Sequence, residues 1–181
     1  MCIRDRPYGH RRLRPGSYTT AEGQLHDGLA RPRHAPHRLP RAAALGLPAS
    51  RPVGFTATSL TSVAADPPLL SFGIGTGASS WPAVSEAEHI GVHILGEHQQ
   101  ELATTFARSG ADRFGPATSW RTGPEGVPLL DGVLAWLVCK VVARVPAGDH
   151  RIVLAQPVVG DPARPGRPLL YHQGSFNALR D

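Results

Sequence analysis

The sequence predicts a mainly β fold, an antiparallel barrel or sandwich with two short flanking helices. Segments of strand-type residues, separated by turn residues, recur between residues 53 and 174. Helical character is limited to a short segment after Ser80 and to residues 97–108. The later strands follow one another through turns, which argues against a parallel sheet with a helix after every strand.

The first two predicted strands lie on either side of a proline turn. We expect strands at residues 53–59 and 69–75, with Asp-Pro-Pro at 66–68 between them, because proline fixes φ and lacks a backbone donor. A Gly-rich loop follows the second strand. Ser79 or Ser80 is the expected N-cap of a short helix that has proline in its first turn.

The middle of the chain predicts one strand, one amphipathic helix and a loop. HIGVHIL (89–95) has the composition of a strand. EHQQELATTFAR (97–108) predicts a helix, with one apolar face formed by Leu102, Ala103 and Phe106. Residues 109–128 are rich in Gly and Pro and predict a loop.

The last part predicts a long hairpin and a closing strand. VLAWLVCKVVARV (133–145) is at first apolar on both faces, which fits burial against the core on one side and against a partner on the other. A turn at 146–149 leads to the returning strand HRIVLAQPVVG (150–160). PLLYHQG (168–174) closes the set.

Length and composition favour a one-domain cytoplasmic protein. The chain has 181 residues and no apolar run long enough to span a bilayer, and we expect no secretory leader because residues 1–30 lack an apolar segment. Cys2 and Cys139 offer neither a metal-binding spacing nor a disulfide framework. His89 and His93 would lie about 13 Å apart along a strand, so we expect no metal site there.

The positive net charge belongs to the N-terminal segment. Residues 1–51 contain ten Arg against three acidic residues, whereas residues 52–181 are mildly acidic. The opening Met-Cys-Ile-Arg-Asp-Arg corresponds in DNA to the end of a sequencing-library adapter, and residues 32–50 have the composition of GC-rich DNA translated out of frame. We therefore expect residues 1–50 to be unreliable or disordered, with no intact strand before Arg51, and the domain to span 51–181. A basic arm that binds nucleic acid is the alternative.

A glycine pattern raises the possibility of a dinucleotide fold. Residues 73–78 fit G-x-G-x-x-A after a strand and before a helix, the form of the Rossmann fingerprint. The acidic residue for the ribose would have to be Glu97, inside the next helix rather than at a strand end. The match is therefore weak.

The stretch RPVGFTATSLTSVAADPPLL (51–70) resembles the flavin reductase-like family, the short-chain NAD(P)H:flavin reductases. Further family motifs follow in order and cover residues 51–179; they are Ser-Ser-Trp-Pro at 79–82, Asp-Arg-Phe at 112–114, Pro-Leu-Leu-Asp-Gly at 128–132, Ala-Trp-Leu at 135–137, Gly-Asp-His at 148–150 and Leu-Tyr-His at 170–172. Ala64 and Gln156 depart from the usual family residues.

The resemblance implies fold and function. The family fold is a split β-barrel with Greek-key character, and its members are homodimers with flavin at the subunit interface. The expected reaction is reduction of FMN or FAD by NADH or NADPH, with hydride passing from the nicotinamide to flavin N5. Reduced flavin would then serve a separate flavin-dependent monooxygenase. A flavin-binding electron carrier of the same fold is the alternative.

Hydroxyls and small residues are the candidate flavin contacts. Hydroxyls and free backbone N–H groups bind a ribityl chain and a phosphate, and Ala57 would allow close approach of the ring. Arg113 would pair with the phosphate, Phe114 would be core or a wall beside the flavin, and the resemblance places His150 near the nicotinamide or flavin as the catalytic candidate. The hydroxyl candidates are Thr56, Thr58, Ser59, Ser62, Ser79 and Ser80.

Overall fold

A computed structural model describes residues 43–47, 51–161 and 164–178. The elements in chain order are β1 Ala43–Leu47, β2 Val53–Ala57, β3 Thr61–Ala65, β4 Pro68–Gly75, α1 Trp81–Glu86, β5 His89–Ile94, α2 Gln100–Ala107, β6 Trp120–Thr122, β7 Pro128–Leu130, β8 Ala135–Ala147, β9 His150–Asp161, β10 Leu169–His172 and β11 Ser175–Ala178. Short 3₁₀ segments lie at Glu97–Gln99 and Pro124–Gly126.

Seven of these strands form one antiparallel sheet in the order β2-β1-β5-β8-β9-β4-β3. The mainly β prediction is therefore confirmed. The antiparallel pairing of β4 with both of its neighbours excludes the Rossmann alternative, which requires a parallel sheet. In the described part of the chain, no helix has the length and hydrophobicity that a bilayer span requires.

The two ends of this sheet are joined by side chains. The hydroxyl of Ser80 donates to the carbonyl of Gly54 in β2 at 3.1 Å, and the amide of Gly73 in β4 donates to the Ser59 hydroxyl at 2.8 Å. One bond joins β2 to the segment that follows β4, and the other joins the segment that follows β2 to β4. Two of the hydroxyls between residues 56 and 80 therefore hold the fold together.

The core lies on both sides of β1 and β5. One cluster contains Leu45, Phe72, Ile74, Ile90, Val92, Cys139 and Val153, all at most 4 % exposed. A second cluster packs α2 on the sheet through Ala103, Phe106, Leu130 and Leu169. The predicted apolar helix face is confirmed, with Leu102 at its edge. Cys139 is buried, and burial raises the pKa of its thiol to about 12.

The strand β1 corrects one expectation. We expected no intact strand before Arg51, yet Ala43–Leu47 pairs with both β2 and β5. Ala44 and Leu45 are buried, because β1 lies between β2 and β5 and these two residues pack in the second and the first core cluster respectively. This strand lies N-terminal to the predicted boundary at residue 51. Residues 1–42 and 48–50 lie outside the described residues, and the reading-frame hypothesis stays a prediction that resequencing tests.

The short helix α1 is fixed by a distant arginine. Nε of Arg144 in β8 donates to the carbonyl of Val84 at 2.9 Å, and its Nη2 donates to the carbonyl of Ala87. These carbonyls belong to the last turn of α1, where a cation is favourable. A six-residue helix is unstable alone, so tertiary contacts hold it. The predicted N-cap position is confirmed at Ser80, with proline in the first turn, but the Ser80 hydroxyl bonds to Gly54 instead of to the helix.

Candidate functional site

A cleft of about 710 Å³ opens beside the N-terminal end of β2. Three segments that are distant in sequence line it, namely residues 51–54, Ser79 and residues 110–115. Small-molecule sites in proteins typically have volumes between about 300 and 1,000 Å³. The cleft therefore has the size of a small-molecule site.

The lining of the cleft combines positive charge with an aromatic wall. Arg51 and Arg113 contribute two guanidinium groups, against the single carboxylate of Asp112. Phe114 is held by edge contacts with Phe106 and Trp120, at ring-centroid distances of 5.2 and 5.5 Å. Cations and a fixed aromatic ring suit a ligand that has a phosphate and a planar ring system.

Arg113 has a structural role in addition to its place in the cleft. Its Nε donates to the carbonyl of Phe106 at 3.1 Å, and its Nη2 donates to the carbonyl of Arg108 at 2.7 Å. These bonds tie it to the C-terminal end of α2. A guanidinium has five N–H donors, and these two bonds to the end of α2 use two of them. Burial lowers the pKa of Arg113 from its ordinary value, but the group stays charged at neutral pH.

Three of the six candidate hydroxyls are used by the fold. Thr56 donates to the carbonyl of Ala103 at 2.7 Å and so ties β2 to α2. Ser59 accepts the Gly73 amide and Ser80 donates to Gly54, as described above. Ala57 is 3 % exposed and packs in the first core cluster, so it faces the core rather than a ligand ring.

The other three hydroxyls have no side-chain hydrogen bond within the described part of the chain. Of these, Ser79 is exposed and lines the cleft. Thr58 follows β2 and Ser62 lies exposed in β3, and neither belongs to the cleft lining. The structure thus brings Ser79 together with Arg113 and Phe114, and it leaves Thr58 and Ser62 outside this group.

His150 opens β9 and lies apart from the cleft lining. It is paired with Gly75 at the end of β4, and its side chain is 55 % exposed. Nδ1 of His150 donates to the Asp149 carboxylate over 2.7 Å.

Comparison with known proteins decides the family. A family model described as "Flavin reductase like domain" matches residues 38–180. The chain belongs to the flavin reductase-like family. An NADH:FMN oxidoreductase of Rhodococcus qingshengii is 43 % identical over 129 residues, which are 69 % of this chain and 67 % of that protein.

Two further flavin reductase relatives extend this result. The crystal structure of a flavin reductase domain protein from an Arthrobacter species has 38 % identity and a TM-score of 0.74, over 78 % of this chain and 89 % of that one. The reductase component of a flavin-dependent trigonelline monooxygenase from Acinetobacter baylyi is 39 % identical over 105 residues, which are 58 % of this chain and 34 % of that protein. The resemblance found in the sequence is confirmed, and the family match begins before residue 51.

Sequence reasoning missed two residues that line the cleft and one that bonds to the candidate histidine outside it. Arg51 and Gly54 line the cleft, and Asp149 holds His150. Arg51 stands in the motif that carries the family resemblance, but nothing local shows that it faces residues 110–115. Asp149 precedes the candidate histidine directly, so a possible Asp–His pair was visible in the Gly-Asp-His motif.

Proposed function

We propose that this chain reduces FMN with NADH. The observation that carries the proposal is the convergence of Arg113, Phe114 and Ser79 on one cleft, because all three lie in motifs that the family resemblance identified. The 43 % identity to an NADH:FMN oxidoreductase supports the choice of both reactants. FAD and NADPH are the alternative reactants that the same assay compares.

The lining residues have roles that follow from their chemistry. Arg51 and Arg113 would hold the flavin phosphate through charge-assisted hydrogen bonds, and the free hydroxyl of Ser79 adds one more donor. Phe114 would form an apolar wall. When bound, the flavin supplies the redox chemistry, because its ring accepts the hydride of the nicotinamide. His150 would contact one of the two reactants and is the catalytic residue that we propose.

The test is NADH oxidation followed at 340 nm with purified protein and added FMN. We expect turnover that saturates in both reactants, and a flavin Kd that rises in R113Q, whose side chain keeps hydrogen-bond donors but has no charge. S62A is the matched control, because Ser62 lies outside the cleft lining. Tight flavin binding without NADH oxidation would instead identify an electron carrier, and the absence of both binding and turnover would refute the proposal.

A homodimer is part of the proposal. Val142, Val145 and Ile152 are 55 %, 44 % and 42 % exposed on the β8–β9 hairpin, and Val145 lies opposite Ile152. A second copy of the chain would cover this apolar surface. Light scattering should give twice the mass of one chain for the wild type and the mass of one chain for V145D. A wild-type monomer would contradict the dimer.

The expected recipient of reduced flavin is a separate flavin-dependent monooxygenase, and the expected compartment is the cytoplasm. The relative from Acinetobacter baylyi, a monooxygenase reductase component, supports this kind of partner. Catalytic release of reduced flavin to an added flavin-dependent oxygenase, measured as product formed per NADH consumed, tests it. The two proteins can then be separated by a membrane that is permeable to flavin. If product formation stops, reduced flavin is transferred by direct contact between the proteins rather than by diffusion.

A further inference from the structure

Phe114, the aromatic wall of the cleft, contacts three other elements of the fold. Its ring makes edge contacts with Phe106 in α2 and with Trp120 in β6, at interplanar angles of 71° and 79°. A Cβ placed on Gly54 in β2 would lie 3.1 Å from Cε2 of the same ring. Phe114 and Gly54 line the cleft, whereas Phe106 and Trp120 lie outside its lining. Two of the three neighbours therefore support the wall without facing a ligand.

Trp120 restrains the main chain of Phe114 as well as its ring. The indole Nε1–H of Trp120 donates to the carbonyl of Phe114 at 3.2 Å. This N–H is the one hydrogen-bond donor that an indole has, and a buried tryptophan usually places it on an acceptor. A single side chain thereby fixes the wall residue at two points.

The backbone of Trp120 is anchored to the main sheet through β7. Trp120 pairs with Leu130, and the amide of the next residue, Asp131, donates to the carbonyl of Ser119 at 3.0 Å. The amide of Leu130 donates to Nε2 of the buried His93 in β5 at 3.2 Å. The position of Trp120 is thus set by contacts outside the cleft lining, so the indole is a fixed support for the segment that carries Phe114.

The residue before the wall depends on side-chain bonds in the same way. The segment between α2 and β6 contains no helix or strand of its own. Within it, the two bonds of Arg113 to the end of α2 and the bond of Trp120 to Phe114 hold two adjacent lining residues. This wall of the cleft is therefore organised by side chains rather than by a backbone ladder.

We propose that Trp120 is a positioning residue of the reductase site, which holds Phe114 in the orientation that receives the flavin ring and does not itself touch the flavin. This inference rests on the proposed function. A fixed wall favours binding because the apparent Kd rises in proportion as the binding-competent conformation becomes less populated. Saturating flavin restores that conformation, so the effect belongs to the Kd and to the KM for FMN rather than to kcat.

The test compares W120F with W136F in the full-length chain. W120F keeps an aromatic ring but removes the Nε1–H donor. Trp136 is also partly buried and packs against the second core cluster, and it lies outside the cleft lining, so W136F is the matched control. We expect W120F to raise the flavin Kd and the KM for FMN about fivefold, the worth of one hydrogen bond, at unchanged kcat. W136F should keep the wild-type Kd.

A double-mutant cycle shows whether Trp120 acts through Phe114. Flavin titration compares W120F, F114A and W120F/F114A. F114A has no wall side chain left to be positioned, so we expect the double variant to bind flavin as weakly as F114A alone and no more weakly.

A second readout needs no flavin. Trypsin cleaves after arginine in segments that open from the fold, and Arg113 directly precedes the wall residue. Cleavage at Arg113, identified by the masses of the fragments, should be about fivefold faster in W120F, because proteolysis follows the population of the open form. W136F should be cleaved there at the wild-type rate.

Three results would overturn the inference. The first is a W120F variant that binds flavin as tightly as the wild type, whether or not its cleavage at Arg113 is faster. The second is an equal loss of affinity in W120F and W136F, which would show a general effect of packing. The third is additive loss in the double variant. In each case an active wild type leaves the proposed function intact, whereas a wild type that does not oxidise NADH with FMN refutes the function itself.

Discussion

Acidification should destabilise this protein through one buried histidine, His93. Its side chain is completely buried in β5, and both ring nitrogens bond to backbone groups. Nδ1 donates to the carbonyl of Ala44 at 2.9 Å, and Nε2 accepts the amide of Leu130 at 3.2 Å. The ring thereby joins β1, β5 and β7 in its neutral form, because a protonated Nε2 is a donor and would face another donor.

The magnitude follows from the pKa of the buried ring. The pKa of His93 is lowered from 6.5 to about 4, mainly by burial and to a smaller degree by the charge of Arg121, while the bond to Ala44 opposes the change. The unfolded chain binds a proton below pH 6.5, whereas the folded chain does so only near pH 4. Stability from this residue is thus complete above pH 6.5 and is lost as the pH falls to 4. At about 1.4 kcal/mol per pH unit the loss is about 3 kcal/mol.

The assay is urea denaturation of the wild type and of H93Q between pH 7 and pH 4. Glutamine offers an N–H donor and a carbonyl acceptor for the same two backbone groups but does not titrate in this range. The wild type should lose about 3 kcal/mol more than H93Q over this interval. H98Q, at an exposed histidine, should retain the wild-type acid sensitivity. Equal pH dependence of the wild type and H93Q would refute the reasoning.

Three further predictions concern hydroxyls, the α1 anchor and glycine packing. S79A should raise the flavin Kd about tenfold at unchanged stability, whereas S80A should lower the free energy of unfolding by about 1–2 kcal/mol. Flavin titration measures the first effect and urea denaturation the second. If both variants changed both quantities equally, the assignment of Ser79 to the cleft and of Ser80 to the fold would be contradicted. R144Q should cost about 2 kcal/mol in the same denaturation experiment, since two carbonyls of α1 lose a charged donor; an unchanged midpoint would show that α1 needs no such anchor. G54A should destabilise by about 1–3 kcal/mol, because its Cβ would overlap a backbone carbonyl and lie 2.8 Å from an aromatic ring, whereas G77A has open space and should be neutral.

The sequence by itself determined the family and most of the sheet. Strands β2, β4, β5, β8 and β9 and the helix α2 were predicted because their residues show the periods and compositions of buried elements. The edge strand β3 was missed, because its residues are small and mostly exposed and therefore show no alternation. The short strand β6 lies in the segment 109–128, whose Gly and Pro content predicted a loop, and its partner β7 begins where that segment ends.

Only the tertiary structure decided which hydroxyls are available to a ligand. Ser79 and Ser80 are neighbours with the same side chain, yet one lines a cleft and the other bonds to Gly54, which is 26 residues away. Local sequence cannot encode this difference, because it depends on how closely β2 approaches the segment before α1 after the sheet has formed. The residue types that could contact a phosphate were visible in the sequence, whereas their assignment to the fold or to the cleft needed distances between segments that are far apart in the chain.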